Sequence, residues 1–80
     1  MVSLAAVDNI FDEFDLTPRE REVARLILRG HKGSEIMTTL KMALGTFRTH
    51  KRMILTKAGV RRQMQFSAVV FTRAVGCVDS

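Results

Sequence analysis

Arg48, Thr49 and Arg52 fall within about one helical turn of one another, and their side chains are of the kinds that distinguish DNA bases. A guanidinium can donate two N–H groups together to guanine O6 and N7, and a threonine methyl can pack on a thymine methyl. The surrounding charge suits the same chemistry. Between Lys41 and Arg62 the chain carries Lys41, Arg48, Lys51, Arg52, Lys57, Arg61 and Arg62 and no acid, whereas Asp8, Asp12, Glu13 and Asp15 occupy a start free of Lys and Arg. A net charge of +5 and an isoelectric point near 10.4 favour a polyanionic partner. Most basic helix faces are merely hydrated; the absence of acids through this stretch is what sets it apart.

Other chemistries find little support. The sequence shows no paired carboxylates, no nucleophile beside a base and no glycine-rich phosphate loop, so an enzyme is not expected. His31 and His50 form no metal-ligand cluster with the lone Cys77, and no cofactor is expected. Met1-Val2-Ser3-Leu4 has no basic n-region, and no apolar run approaches the roughly 20 residues that span a bilayer. The expected location is therefore the cytoplasm, which also suits a single unpaired cysteine.

Eighty residues, 46% of them hydrophobic, make one small domain. The periodicity predicts an all-α chain. Val2 to Phe14 places Leu4, Val7, Phe11 and Phe14 on one side and most acids on the other, so residues 1–15 read as an amphipathic acidic segment, a lid or a linker. At Thr17-Pro18-Arg19-Glu20 a capping residue, an N1 proline and an acid start a helix with Val23, Leu26 and Ile27 inward, Arg21, Arg25 and Arg29 solvated, and Gly30 as its stop. Gly33-Ser34-Glu35 opens a short helix with Ile36, Met37 and Leu40 inward. The next, from about Leu44 to Ala58, is stopped by Gly59, and a last one begins at Arg61 or Arg62 and runs to about Val75. Two short helices in close succession suggest helix-turn-helix.

On the helix from Leu44 to Ala58, a rotation of about 100° per residue gathers Leu44, Phe47, Ile54, Leu55 and Ala58 on a core side and Gly45, Arg48, Thr49, Arg52 and Thr56 opposite. Lys51 falls inside the apolar arc, either with its stem packed and its ammonium at the edge or with that ammonium on a phosphate. His50 stands at the border, either packed or touching phosphate. Met37, Met42, Met53 and Met64 read as core filler.

From Leu16 to Phe66 the sequence resembles the LuxR-type helix-turn-helix domain, also called GerE or NarL-type. The resemblance rests on Leu16-Thr17-Pro18-Arg19-Glu20-Arg21-Glu22-Val23, Gly30, Glu35-Ile36, Leu40, Thr46-Phe47-Arg48-Thr49-His50, Ile54, Lys57, Gly59 and Val60. It implies a four-helix domain, here with a short extra amino-terminal helix, whose third helix enters the major groove and whose fourth forms a two-fold contact. Carried over by position, Arg48, Thr49 and Arg52 are expected at bases. Ser34, Thr46, His50, Lys51, Lys57 and Arg61 are the residues expected at phosphates. Ala43 replaces the usual capping serine of the recognition helix, Gly45 sits in its first turn, and Gly33-Ser34 replaces the usual Asn-Lys. All three departures weaken the expected DNA contact.

The expected organisation is 1–15 as above, 16–76 as DNA-binding domain and 77–80 as tail. The expected function is sequence-specific double-stranded DNA binding by a bacterial transcriptional regulator, either free-standing or the carboxy-terminal part of a longer one. Homodimerisation is expected through Met64, Ser67, Phe71 and Val75, and RNA polymerase is a further candidate partner; no membrane or small-molecule ligand is expected. Two alternatives are region four of a sigma factor, disfavoured by the Gly59-Val60 turn, and a protein-binding adaptor or anti-activator retaining the fold. The acidic start also raises the expectation that Asp8, Asp12, Glu13 and Asp15 fold back near the basic helix and compete with phosphate.

Overall fold

A computed structural model describes the backbone of residues 4–78 and the side chains of residues 5–75. Five α-helices follow in order: α1 (Leu4–Glu13), α2 (Pro18–Leu28), α3 (Gly33–Leu40), α4 (Leu44–Ala58) and α5 (Gln63–Val78), with no strand among the described residues. The all-α, helix-turn-helix expectation is met. Helix α2 is the hub, packing against α3, α4 and α5, while α1 lies along α5. Val2 and the side chain of Leu4, assigned to the first helix from sequence, lie outside the described residues.

The start of α2 forms as its sequence dictates. The Thr17 hydroxyl accepts from the Glu20 N–H at 3.2 Å, the Glu20 carboxylate accepts from the Thr17 N–H at 2.9 Å, and Pro18 opens the helix. Helices α1 to α4 all close on a left-handed residue that returns two carbonyls to hydrogen bonds. These residues are Asp15 (φ 58°), Gly30 (φ 87°), Lys41 (φ 52°) and Gly59 (φ 76°). After each, the next N–H donates to the carbonyl five residues back: Leu16 to Phe11, His31 to Leu26, Met42 to Met37, Val60 to Leu55. Leu16 and Met42 are thereby turned into the core.

That core joins Ile10, Phe11 and Phe14 of α1 to Val23, Ala24 and Ile27 of α2, Ile36 of α3, Phe47, Ile54 and Leu55 of α4, and Phe66, Val70 and Ala74 of α5. Helix α1 supplies two of the most deeply buried side chains, Ile10 and Phe11.

Several expectations are corrected. Helix α5 starts at Gln63, where the Gln65 side-chain Oε1 accepts from the Arg61 and Arg62 backbone N–H groups and so fixes the entry. It continues through Gly76 to Val78, because a glycine costs a helix only about 1 kcal/mol relative to alanine; residues 77–78 are thus helical, and 79–80 lie outside the described residues. Leu44 lies at the tip of α4 beyond the core and is 49% exposed. Met42 is buried and Met37 partly so, but Met53 and Met64 are exposed and fill no core. Arg21 and Arg25 are not simply solvated: Arg21 pairs with Asp12 at 2.6 Å and Arg25 with Asp8 at 2.8 Å.

Candidate nucleic-acid interface

Helix α4 is held from three sides. Phe47, Ile54 and Leu55 seat it in the core against α2, and α3 and α5 flank it. A fourth restraint is ionic. The Lys57 ammonium donates to the Glu20 carboxylate at 2.8 Å and to the Asp15 carbonyl at 3.1 Å, tying the last turn of α4 to the beginning of α2. Lys57, expected at a phosphate, thus has its ammonium engaged by Glu20 and Asp15 inside the fold.

With the core side thus fixed, the opposite face of α4 presents Gly45, Arg48, Thr49, Arg52 and Thr56 to solvent. The Thr49 hydroxyl donates back to the Gly45 carbonyl at 3.0 Å, so its hydrogen is occupied along the helix. Among the described residues, Arg48, Lys51, Arg52, Arg61 and Arg62 have no ion-pair partner.

The acids are elsewhere. Asp8 and Asp12 pair with α2, Glu13 pairs with Arg73 of α5 at 2.9 Å, and Glu22 with Arg19 at 2.6 Å. The expectation that the acidic start folds back near the basic helix is corrected for Asp8, Asp12 and Glu13, whose carboxylates meet arginines of α2 and α5, whereas Asp15 does lie beside the last turn of α4, its carbonyl accepting from Lys57. Sequence position alone could not show this, because the segregation of acid from base becomes spatial only when α1 docks. The result is an unneutralised cationic face on α4.

The remaining expected contacts do not all share that face, since at about 100° per residue Thr46 and His50 stand about 160° from Arg48. Thr46 is exposed in the first turn of α4, and Ser34 is exposed in the first turn of α3, its carbonyl accepting from the Thr38 hydroxyl at 2.9 Å. His50 and Lys51 are half-buried. Arg61 is exposed beyond the other end of α4, a helix about 22 Å long at 1.5 Å per residue.

The entry of α4 lacks a side-chain cap, since Ala43 precedes it in extended conformation (φ −72°, ψ 157°) and has no oxygen to offer the free N–H groups. Around Gly45 nothing lies within 4 Å of where a Cβ would sit. Ala43→Ser is expected to stabilise the fold by about 1 kcal/mol. Gly45→Ala is expected to add about 0.5–1 kcal/mol. Urea unfolding of both variants checks this, and unchanged midpoints would show that the first turn is already as firm as a capped one.

The chain matches the family described as bacterial regulatory proteins, luxR family, over residues 15–70. It is 40% identical over 45 residues to the transcriptional regulatory protein MctR of Rhizobium johnstonii, a stretch covering 56% of this chain and 21% of that protein. It is equally 40% identical over 45 residues to the transcriptional activator protein BglJ of Escherichia coli, covering 56% of this chain and 20% of that one. The matched stretch thus spans about a fifth of either relative's length. No solved structure gives a significant match.

Proposed function

Because the chain belongs to the luxR family of bacterial regulatory proteins, we propose that it regulates transcription by binding double-stranded DNA through α4, without catalysing a reaction. The observation that carries this reading is the exposed, acid-free face of α4, whose guanidiniums are unpaired while α1, α2 and α5 neutralise much of the remaining charge among themselves. A helix fits the major groove, and in helix-turn-helix proteins its amino-terminal residues meet the base edges. Arg48, Thr49 and Arg52 are the proposed base readers, with Ser34, Thr46, His50, Lys51 and Arg61 at phosphates. Both named relatives are transcriptional regulators by name, and action in the cytoplasm follows from a genomic target in a bacterium.

Arg48→Ala and Arg52→Ala are each expected to weaken binding to a selected duplex by roughly 1–3 kcal/mol and to relax the preference at one base pair. Fluorescence anisotropy across a salt series is the test. Binding by the wild type should fall steeply with salt. A uniform loss on selected and scrambled duplexes would reassign both arginines to phosphates, and an absence of salt-dependent binding would overturn the DNA reading.

We further propose a homodimer through α5. Met64, Phe71 and Val75 remain 82%, 63% and 39% exposed, with α1 packed on the same helix but leaving them uncovered. Beside Phe71 a shallow apolar groove of about 400 Å³ is lined by Val7, Leu28, Ser67 and Val70. Exposed apolar stripes of this kind mark interfaces, and a two-fold pairing would space two recognition helices about 34 Å apart, one turn of DNA. Phe71→Glu is expected to give a monomer in sedimentation at concentrations where the wild type is a dimer. A wild type that stays monomeric at tens of micromolar, well above the concentrations at which stable interfaces form, would remove the dimer.

A further inference from the structure

We propose that Leu44 is an additional base-reading residue, sensing the thymine 5-methyl group at the base pair adjoining the one met by Arg48. The inference rests on the DNA reading above and names a specificity determinant within that same site.

Leu44 opens α4 and is 49% exposed, although it lies on the same side of the helix as the buried Leu55. The cause is its place on α4: the buried side chains of that helix begin at Phe47, and Leu44 lies one turn before it. At about 100° per residue its side chain stands about 40° from Arg48 and about 80° from Arg52, on the edge of the cationic row. Met53, the other exposed apolar side chain of this helix, stands about 140° from Arg48 and lies off the row.

The first turn of a helix favours an acid, which complements the dipole. Here that turn has none, and an isobutyl group projects at the end of the helix that reaches deepest into a groove. Leucine has no donor or acceptor, so it gains nothing from a phosphate or a polar base edge. The apolar group that unmodified DNA displays on the major-groove floor is the thymine methyl. Leu44 and Arg48, one turn apart on one side of α4, are therefore placed to read neighbouring base pairs, the first by methyl contact and the second by paired hydrogen bonds.

The experiment is selection from a randomised duplex pool by the full chain, the wild type beside Leu44→Ala, Leu44→Met and Arg48→Ala, followed by titration of the enriched duplex with thymine or uracil at the assigned position. Exchanging thymine for uracil removes only the methyl group. The wild type is expected to bind the uracil duplex about fourfold more weakly, the equivalent of burying one methyl group. Leu44→Ala is expected to select a motif without the thymine but with the guanine, and to bind both duplexes alike; Leu44→Met is expected to keep the thymine.

If Leu44→Ala selects the wild-type motif and retains the wild-type response to uracil while Arg48→Ala changes the motif, the inference about Leu44 is wrong and the DNA reading stands. If the wild type enriches no motif, the DNA reading fails and takes this inference with it. A thermal melt of Leu44→Ala matching the wild type ties any change to the contact and not to folding.

Discussion

Phe11→Ala is expected to remove a large share of the chain's stability and lower its melting temperature sharply, and deletion of residues 1–14 to abolish the cooperative thermal transition altogether. Phe11 has no exposed surface, its ring lies 6.0 Å from the Arg25 guanidinium, and its carbonyl accepts the Leu16 N–H that closes α1. Truncating a buried phenylalanine costs about 3–5 kcal/mol. A chain of this size has a total stability of only about 4–12 kcal/mol at 0.05–0.15 kcal/mol per residue. Deletion removes Ile10 and Phe14 as well, and exposes Phe66 and Val70, against which α1 packs. Circular dichroism with a thermal ramp checks both variants. A deletion variant that still melted cooperatively near the wild-type temperature would show α1 to be dispensable. Of the two readings of residues 1–15, a lid or a linker, the packing supports the lid: α1 lies outside the stretch that matches the family, yet it supplies part of the core.

What could be read from the residues divides according to whether the signal was local. Thr17, Pro18 and Glu20 define the start of α2 because their geometry involves only neighbours in sequence, and Gly30 and Gly59 announce their stops because glycine tolerates positive φ. The same turn at Asp15 and Lys41 went unmarked, since aspartate takes the left-handed conformation less readily than glycine and lysine less readily still. Helical periodicity put Phe47, Ile54 and Leu55 inward and Arg48, Thr49 and Arg52 outward correctly, because α4 is buried along one side. It misplaced Leu44 because periodicity assigns a face but not how far along the helix the core extends. Charge runs suffered most. The acids of α1 looked available to the basic helix, and Lys57 looked available to phosphate. Both are committed to partners distant in sequence, Asp12 to Arg21 and Lys57 to Glu20, and no spacing rule reports such pairs.

Lys57→Met is expected to destabilise the fold by about 2–4 kcal/mol while leaving the salt dependence of DNA binding unchanged. The Glu20 side chain is 6% exposed and that of Lys57 is 23% exposed. Removing the ammonium strands a buried carboxylate, which costs about 3–5 kcal/mol for a fully buried pair and somewhat less where water reaches one partner. Glu20→Gln should cost less, since the amide oxygen still accepts the Thr17 N–H and the part-exposed lysine can hydrate. Burial alone would push the Glu20 carboxyl above its ordinary value of 4.5; the hydrogen bonds from Lys57 and the Thr17 backbone, with the lysine charge, overcome burial and hold it below. The unfolded chain therefore takes up this proton at a higher pH than the native one does. Glu20 contributes stability that is complete above the ordinary value and is lost as pH falls through the lower, native one. The stability gap between the wild type and Glu20→Gln should be largest at neutral pH and narrow on acidification through that window. In Lys57→Met the depression should disappear, because burial acts unopposed by the lysine. Binding separates structure from contact. A lysine on phosphate would contribute about 0.9 to the slope of log K against log salt, and its loss would flatten that slope by as much. Lys57 bound to Glu20 and Asp15 predicts an unchanged slope with a lower affinity, as α4 loses the anchor of its last turn. A slope flatter by nearly one would place Lys57 on DNA after all.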